Sequence, residues 1–147
     1  MTLTYLTHIF LPGMVYRKFG KIMNVASTAA FQPGPTMSVY YASKAYVLHF
    51  SEAIANELKG TGITVTALYP GATESGFQSA AAMEESNLVK GKKLPSSLEV
   101  AENGYKAMMQ GKIVAVHVFI CALMAQGYRF FPRKLLVQVA RSTQDKK

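Results

Sequence analysis

The chain is expected to fold as an α/β protein, a partial doubly wound parallel sheet of about three strands with flanking helices. Two observations predict this. Short apolar segments rich in β-branched residues, KIMNVAS, ITVTALY and KIVAV, alternate with longer segments whose apolar residues recur every three or four positions. The segments between successive strands also carry a helix, and strands joined through a helix run parallel, with the helices covering both faces of the sheet.

Taken in order, Thr2 to about Lys18 reads as a helix, with Leu3, Leu6, Phe10 and Met14 at helical steps and Pro12-Gly13 interrupting its middle. Gly20 ends that pattern, and KIMNVAS is too short and too β-branched at its centre for an independent helix, so it reads as a buried strand. After the turn-rich FQPGP, the run YYASKAYVLHFSEAIANELKG is a long helix with Val47, Phe50, Ile54 and Leu58 as its stripe, stopped by Gly60 and Gly62. ITVTALY is the second strand. The Pro70-Gly71 turn follows, then a polar, flexible region to about Pro95. Ser96 to Gln110 is helical, with Leu98, Val100, Ala101, Tyr105 and Met108 as the apolar set and Ser96 or Ser97 as the N-cap. KIVAV is the third strand, and the remainder is helical with a break before Pro132.

Bulk properties narrow the function classes. A chain of 147 residues with 50% hydrophobic content and a mean hydropathy of +0.13 has the material for a core and is not a disordered tail. The net charge of +8 is spread along the chain and thickens only in RFFPRK and the final DKK, a pattern that does not point to nucleic acid. A single cysteine, Cys121, precludes an intrachain disulfide and fits a reducing, cytoplasmic setting. His8, His49 and His117 lack metal-ligand spacing, so no metal is expected. MTLTYLTHIFLPGM has neither an early positive charge nor a small-residue cleavage site, and does not read as a signal peptide. The apolar run from Ile113 to Ala125 is too short to span a bilayer, which takes roughly 20 residues. The C-terminal segment, with Leu135, Leu136 and Val139 on one helical face and Arg133, Lys134 and Arg141 nearby, is a candidate for peripheral membrane contact.

Chemistry is sought beyond the carboxyl ends of the strands, where open α/β sheets bind ligands. Here that edge carries Ser27 and Thr28 after the first strand, Pro70 to Ser75 after the second, and the residues past Val116 after the third. The long helix starts beside the first of these places, in the run SVYYASKAY. Tyr40 and Lys44, four apart, share a helical face; Tyr41 and Lys44, three apart, also come within reach. A phenol is a poor proton carrier at neutral pH unless its anion is stabilised, and an ammonium at ~4 Å supplies roughly 4 kcal/mol at an effective dielectric of about 20. Asn24, inside the first strand, is expected to satisfy backbone groups.

The run GKIMNVASTAAFQPGPTMSVYYASKAYVLHFSEAIANELKGTGITVTALYPGATESGF resembles the catalytic half of a short-chain dehydrogenase/reductase: a serine after a strand, Tyr-x-x-x-Lys, then Pro-Gly after the next strand. Ser27 stands thirteen residues before Tyr40, which suits the family and selects Tyr40 over Tyr41. The resemblance covers Leu3 to Phe77 strongly and the rest loosely, and implies a Rossmann-like fold.

The resemblance implies an oxidoreductase that interconverts a carbonyl and a secondary alcohol with NAD or NADP. Tyr40 would pass the proton to or from the substrate oxygen. Lys44 would stabilise its phenolate and hydrogen-bond the nicotinamide ribose, and Ser27 would hold the substrate oxygen. Pro70, Gly71 and Ala72 would lie along the nicotinamide, with Thr73 or Ser75 near its carboxamide and phosphates. Phe77, Met83 and the apolar C-terminal region suit a lipophilic substrate, with Met83 to Glu85 and Gly91 to Lys93 in a substrate-side loop. In proteins that this chain resembles, the helix carrying Tyr40 often lies in a subunit interface, so the resemblance implies a homo-oligomer. The family's Gly-rich TGxxxGxG turn, its NNAG-like segment and its first strands have no counterpart, so residues 1–147 are expected to be the C-terminal part of a single dinucleotide-binding domain. A catalytically silent fragment that acts by subunit association is the competing expectation.

Overall fold

The computed structural model describes residues 2–80, 91, 93–116, 127 and 132–144. Helix α1 (Thr2–Tyr16) leads into strand β1 (Gly20–Val25), a 3-10 turn (Thr28–Phe31), helix α2 (Ser38–Glu57) and strand β2 (Ile63–Tyr69). A short helix α3 (Phe77–Ala80), helix α4 (Ser97–Met109), strand β3 (Val114–Val116) and helix α5 (Arg133–Gln144) follow among the described residues. The strands form a parallel sheet in the order β1-β2-β3, with Gly20 opposite Ile63 and Ala67 opposite Val114. This is the three-stranded α/β arrangement expected, although the 3-10 turn and α3 were not, and β1 stops two residues before Ser27.

Because strand side chains alternate between faces, β2 builds two cores at once. Ile63 and Val65 pack on Ile54, Ala55 and Leu58 of α2, with Leu11 and Met14 of α1 alongside. Ala67 and Tyr69 continue the same face against Ala26, Ala30 and Leu48. Leu68 points the other way, into Val100 and Ala107 of α4 and Ala115 of β3. Helices therefore cover both faces.

Two apolar stripes differ from expectation. On α2, Tyr41, Leu48, Ile54 and Ala55 are buried, while Val47 and Phe50 only flank the core. On α4 the buried residues are Val100, Gly104 and Ala107, and Leu98 and Tyr105 stand in solvent. Gly104 decides this: a Cβ there would fall 2.7 Å from Leu68 Cδ2, so the helix approaches the sheet along its small residues. The N-cap of α4 is Ser96, whose Oγ accepts from the Glu99 amide at 3.2 Å.

Asn24 bonds a side chain instead of backbone: its Nδ2 donates to Ser51 Oγ at 2.9 Å, and Ser51 donates to Val47 O at 2.6 Å. Both residues are buried, so this pair locks β1 to α2. In α5, Leu136 and Ala140 are buried while Leu135 and Val139 remain partly exposed, so Leu135, Leu136 and Val139 do not form one free face. Among the described residues no helix is long and apolar enough to cross a membrane. Cys121, His117, Met83 and the break before Pro132 lie outside the described residues.

Candidate active site

A parallel sheet delivers all its strand ends to one edge, and two backbone bonds carry that alignment past the strands. The Ala26 amide donates to Leu68 O at 2.8 Å, and the Thr28 amide to Pro70 O at 3.2 Å. The segment holding Ser27 is thereby fixed beside the Pro70-Gly71 turn.

Ser27 caps the 3-10 turn, its Oγ accepting from the Ala29 amide at 3.2 Å. The side chain is half-buried, and its hydroxyl proton stays available to a second partner. Phe31 at the end of this turn packs on Tyr69, ring centroids 5.2 Å apart, which anchors the turn to β2.

Tyr40 lies in the first turn of α2 and Lys44 one turn further on, so both project over the same strand end. Lys44 Nζ donates to Val25 O, the last carbonyl of β1, at 3.0 Å. It lies over the Tyr40 ring, 5.7 Å from the centroid. Partial burial pushes the Lys44 pKa below its ordinary value. Tyr41 turns inward: it is buried, and a Cβ on Gly34 would fall within 2.4 Å of its ring, so the glycine makes room for it. Its edge meets the Tyr40 ring at 5.9 Å. Packing therefore gives the two tyrosines separate tasks, one in the core and one at the open edge.

The segment after β2 is pinned at several points. Thr73 Oγ1 donates to Gly71 O at 3.0 Å, and Ser75 Oγ accepts from the Phe77 amide at 3.3 Å. Glu74 pairs with Ser96 through a parallel bridge, its amide donating to Pro95 O at 2.9 Å, and Ser97 Oγ donates to Glu74 O at 2.5 Å. This tether presents Phe77 to the Tyr40 ring, centroids 5.3 Å apart. Phe77 entered the sequence reading only as a hint of a lipophilic substrate. Its position as an isolated aromatic in a polar run is the one signal that marked it.

The structure thus gathers Ser27, Tyr40, Lys44 and the turn from Pro70 to Ser75 at one edge. Among the described residues Ser27, Tyr40 and Lys44 make no hydrogen bond to one another. Below this edge, the Tyr69 hydroxyl is buried without a hydrogen-bond partner among the described residues, and burial followed by Glu52 raises its pKa well above the ordinary value. No group of His, Cys, Asp and Glu among the described residues is arranged to hold a metal.

The donor set fits the nicotinamide end of a dinucleotide. A half-buried ammonium with one of its three donors on Val25 O stands beside a hydroxyl and a pinned turn, an arrangement that leaves hydrogen-bonding capacity for a ribose.

The family model described as short chain dehydrogenase matches residues 2–86. A short chain dehydrogenase of Pseudocercospora fijiensis is 44% identical over 70 residues, covering 48% of this chain and 23% of its own length. The inactive hydroxysteroid dehydrogenase-like protein 1 of Rattus norvegicus is 46% identical over 65 residues, 44% of this chain and 20% of its own. Among solved structures, a short-chain dehydrogenase from Sphingobium yanoikuyae in complex with NADPH superposes with a TM-score of 0.71 at 28% identity, covering 87% of this chain and 50% of that one. The chain thus spans about a quarter or less of these curated relatives and half of the solved one. Because the matched residues run from α1 through α3, more than half of the chain, and include Ser27, Tyr40, Lys44 and Pro70 to Ser75, this chain belongs to the short chain dehydrogenase family.

Proposed function

We propose that the chain carries the proton-transfer part of an NAD- or NADP-dependent oxidoreductase that interconverts a small-molecule carbonyl and a secondary alcohol. The observation that carries this reading is the Lys44 ammonium, held by Val25 O and set over the Tyr40 ring at the open end of the sheet. Tyr40 Oη gives a proton to the substrate oxygen in reduction and takes one in oxidation. Lys44, with one donor on Val25 O, turns a further donor to the nicotinamide ribose. Ser27 Oγ, already oriented by the Ala29 amide, donates to the same substrate oxygen. Pro70, Gly71 and Ala72 line the nicotinamide, with Thr73 and Ser75 at its carboxamide side. When bound, the nicotinamide supplies the hydride exchange. The single cysteine suits action in the cytoplasm. A second copy of the chain fits against α1 and α2, which share a hydrogen bond between the Thr4 and Tyr46 hydroxyls and leave Tyr5 and Ile9 exposed.

Fluorescence titration of NADH and NADPH with the purified chain tests the reading. Micromolar binding that Lys44→Met abolishes supports it, and a flat titration with both cofactors removes it.

A second reading, a catalytically silent association module, is favoured by one observation: among the described residues β1 pairs on one side only, which leaves an edge free to take another strand. It predicts a stable oligomer by light scattering together with no cofactor binding.

A further inference from the structure

Three turns meet at the pole of the sheet opposite the candidate site: 17–19 between α1 and β1, 58–62 between α2 and β2, and 110–113 between α4 and β3. The first two are in direct contact, and the third lines a cavity with the second. Gly62 packs so closely on Lys18 that an added Cβ would lie 2.0 Å from the Lys18 carbonyl oxygen. Lys21 Nζ donates to Met109 O at 3.3 Å. Lys59, Gly60 and Gly62 share a cavity of about 330 Å³ with Gly111 and Ile113.

This pole is basic. Arg17, Lys18, Lys21, Lys59, Lys106 and Lys112 converge on it, opposed there by Glu57, whereas Glu74 and Glu99 lie at the other end. Helix C-termini attract cations, which accounts for Lys59 and Lys106. It does not account for Lys21, which belongs to a strand. Nor does it explain the aromatic side chains set among them: Tyr16 is 91% exposed and Phe19 65%. Met109 and Ile113 add exposed aliphatic surface.

We propose that this pole docks the protein peripherally on an anionic membrane surface, with Tyr16 and Phe19 in the headgroup layer and the basic side chains against the lipid charges. The inference does not depend on the catalytic reading. Each lysine near an anionic bilayer strengthens partitioning about fivefold, and aromatic rings favour the interface because they carry apolar bodies into it. A nucleic acid would use the charges but offers nothing to Met109 and Ile113, whereas a lipid interface takes both. Docking at this pole leaves the edge with Tyr40 and Lys44 facing solvent.

Cosedimentation of the 147-residue chain with phosphatidylcholine vesicles, with and without phosphatidylserine, tests the proposal. Binding is expected only with phosphatidylserine, weakening as salt rises. Lys18→Gln with Lys59→Gln lowers partitioning about thirtyfold at low salt, two lysine contributions multiplied. Tyr16→Ser with Phe19→Ser weakens binding to an extent that salt does not change. Both pairs alter exposed side chains and keep the circular dichroism of the parent. A matching pair in α5, Lys134→Gln with Arg141→Gln, leaves binding unchanged. No binding to phosphatidylserine vesicles, or loss with the α5 pair and not with the pole pairs, overturns the proposal. So does binding to an oligonucleotide in place of vesicles.

Discussion

Lys44 and Tyr40 are joined through a ring face: the ammonium sits 5.7 Å from the Tyr40 centroid while its hydrogen bond goes to Val25 O at 3.0 Å. The charge is thus held in place by the sheet, over the Tyr40 ring, with Tyr41 turned into the core.

That relationship separates two neighbouring tyrosines. Tyr40→Phe is expected to lower turnover of a ketone with NADPH by about 100- to 10,000-fold, the range for loss of a positioned proton donor. Tyr41→Phe, which alters a buried ring, leaves turnover unchanged. Equal losses from both would remove Tyr40 from its proposed role.

Lys44 also makes a pH prediction. Burial lowers its pKa, so between that lowered value and 10.5 the unfolded chain binds more protons here than the folded one. The folded state therefore carries a penalty at neutral pH, relieved as pH rises toward 10.5. Lys44→Met is expected to melt higher than the parent at neutral pH, and the gap closes above pH 10.5. Thermal melts across that window measure it; a gap that widens with pH contradicts the assignment.

Tyr69 behaves in the opposite sense. Its folded pKa is raised by burial and then by Glu52, so the unfolded chain loses this proton first, and stability falls as pH rises above 10.0. Tyr69→Phe removes a buried hydroxyl that has no hydrogen-bond partner among the described residues and is expected to stabilise the fold by about 1 kcal/mol at neutral pH. The variant is also spared the share of the alkaline loss that comes from this phenol. Chemical denaturation at neutral and alkaline pH checks both.

Gly60 and Gly62 share a left-handed backbone, with φ of +80° and +83°, but differ in surroundings. Gly60→Ala meets nothing within 4 Å and costs only the conformational strain, about 1 kcal/mol. Gly62→Ala adds a collision with the Lys18 carbonyl and is expected to cost about 3 kcal/mol or more, lowering the melting temperature by roughly 10 °C. Similar melting temperatures for the two variants would show that the turns at this pole are not packed together.

Strands, the long helix and the spacing from Ser27 through Tyr40 to Lys44 were legible in the chain because each depends on a local period. KIMNV and ITVTALY are strands at the positions read, and the step of four from Tyr40 to Lys44 puts both on one face whatever surrounds them. Boundaries were less legible. Ser27 falls beyond β1 because its hydroxyl serves the Ala29 amide, a capping choice that strand periodicity does not encode.

By itself, then, the sequence determined the order of α/β elements and the residues brought to the carboxyl edge of the sheet. Tertiary structure alone decided which surfaces those elements share. Periodicity finds an apolar stripe but not the partner that selects among its residues. Gly104 brought α4 to the sheet along Val100 and Ala107 because Leu68, far away in sequence, occupies the space a side chain would need. Gly34 admitted the ring of Tyr41, and the tether from Glu74 to Ser96 and Ser97 carried Phe77 onto Tyr40. The three basic turns met at one pole for the same reason: parallel strands return every helix end to one side, so residues from Arg17 to Lys112 become neighbours only when the sheet forms.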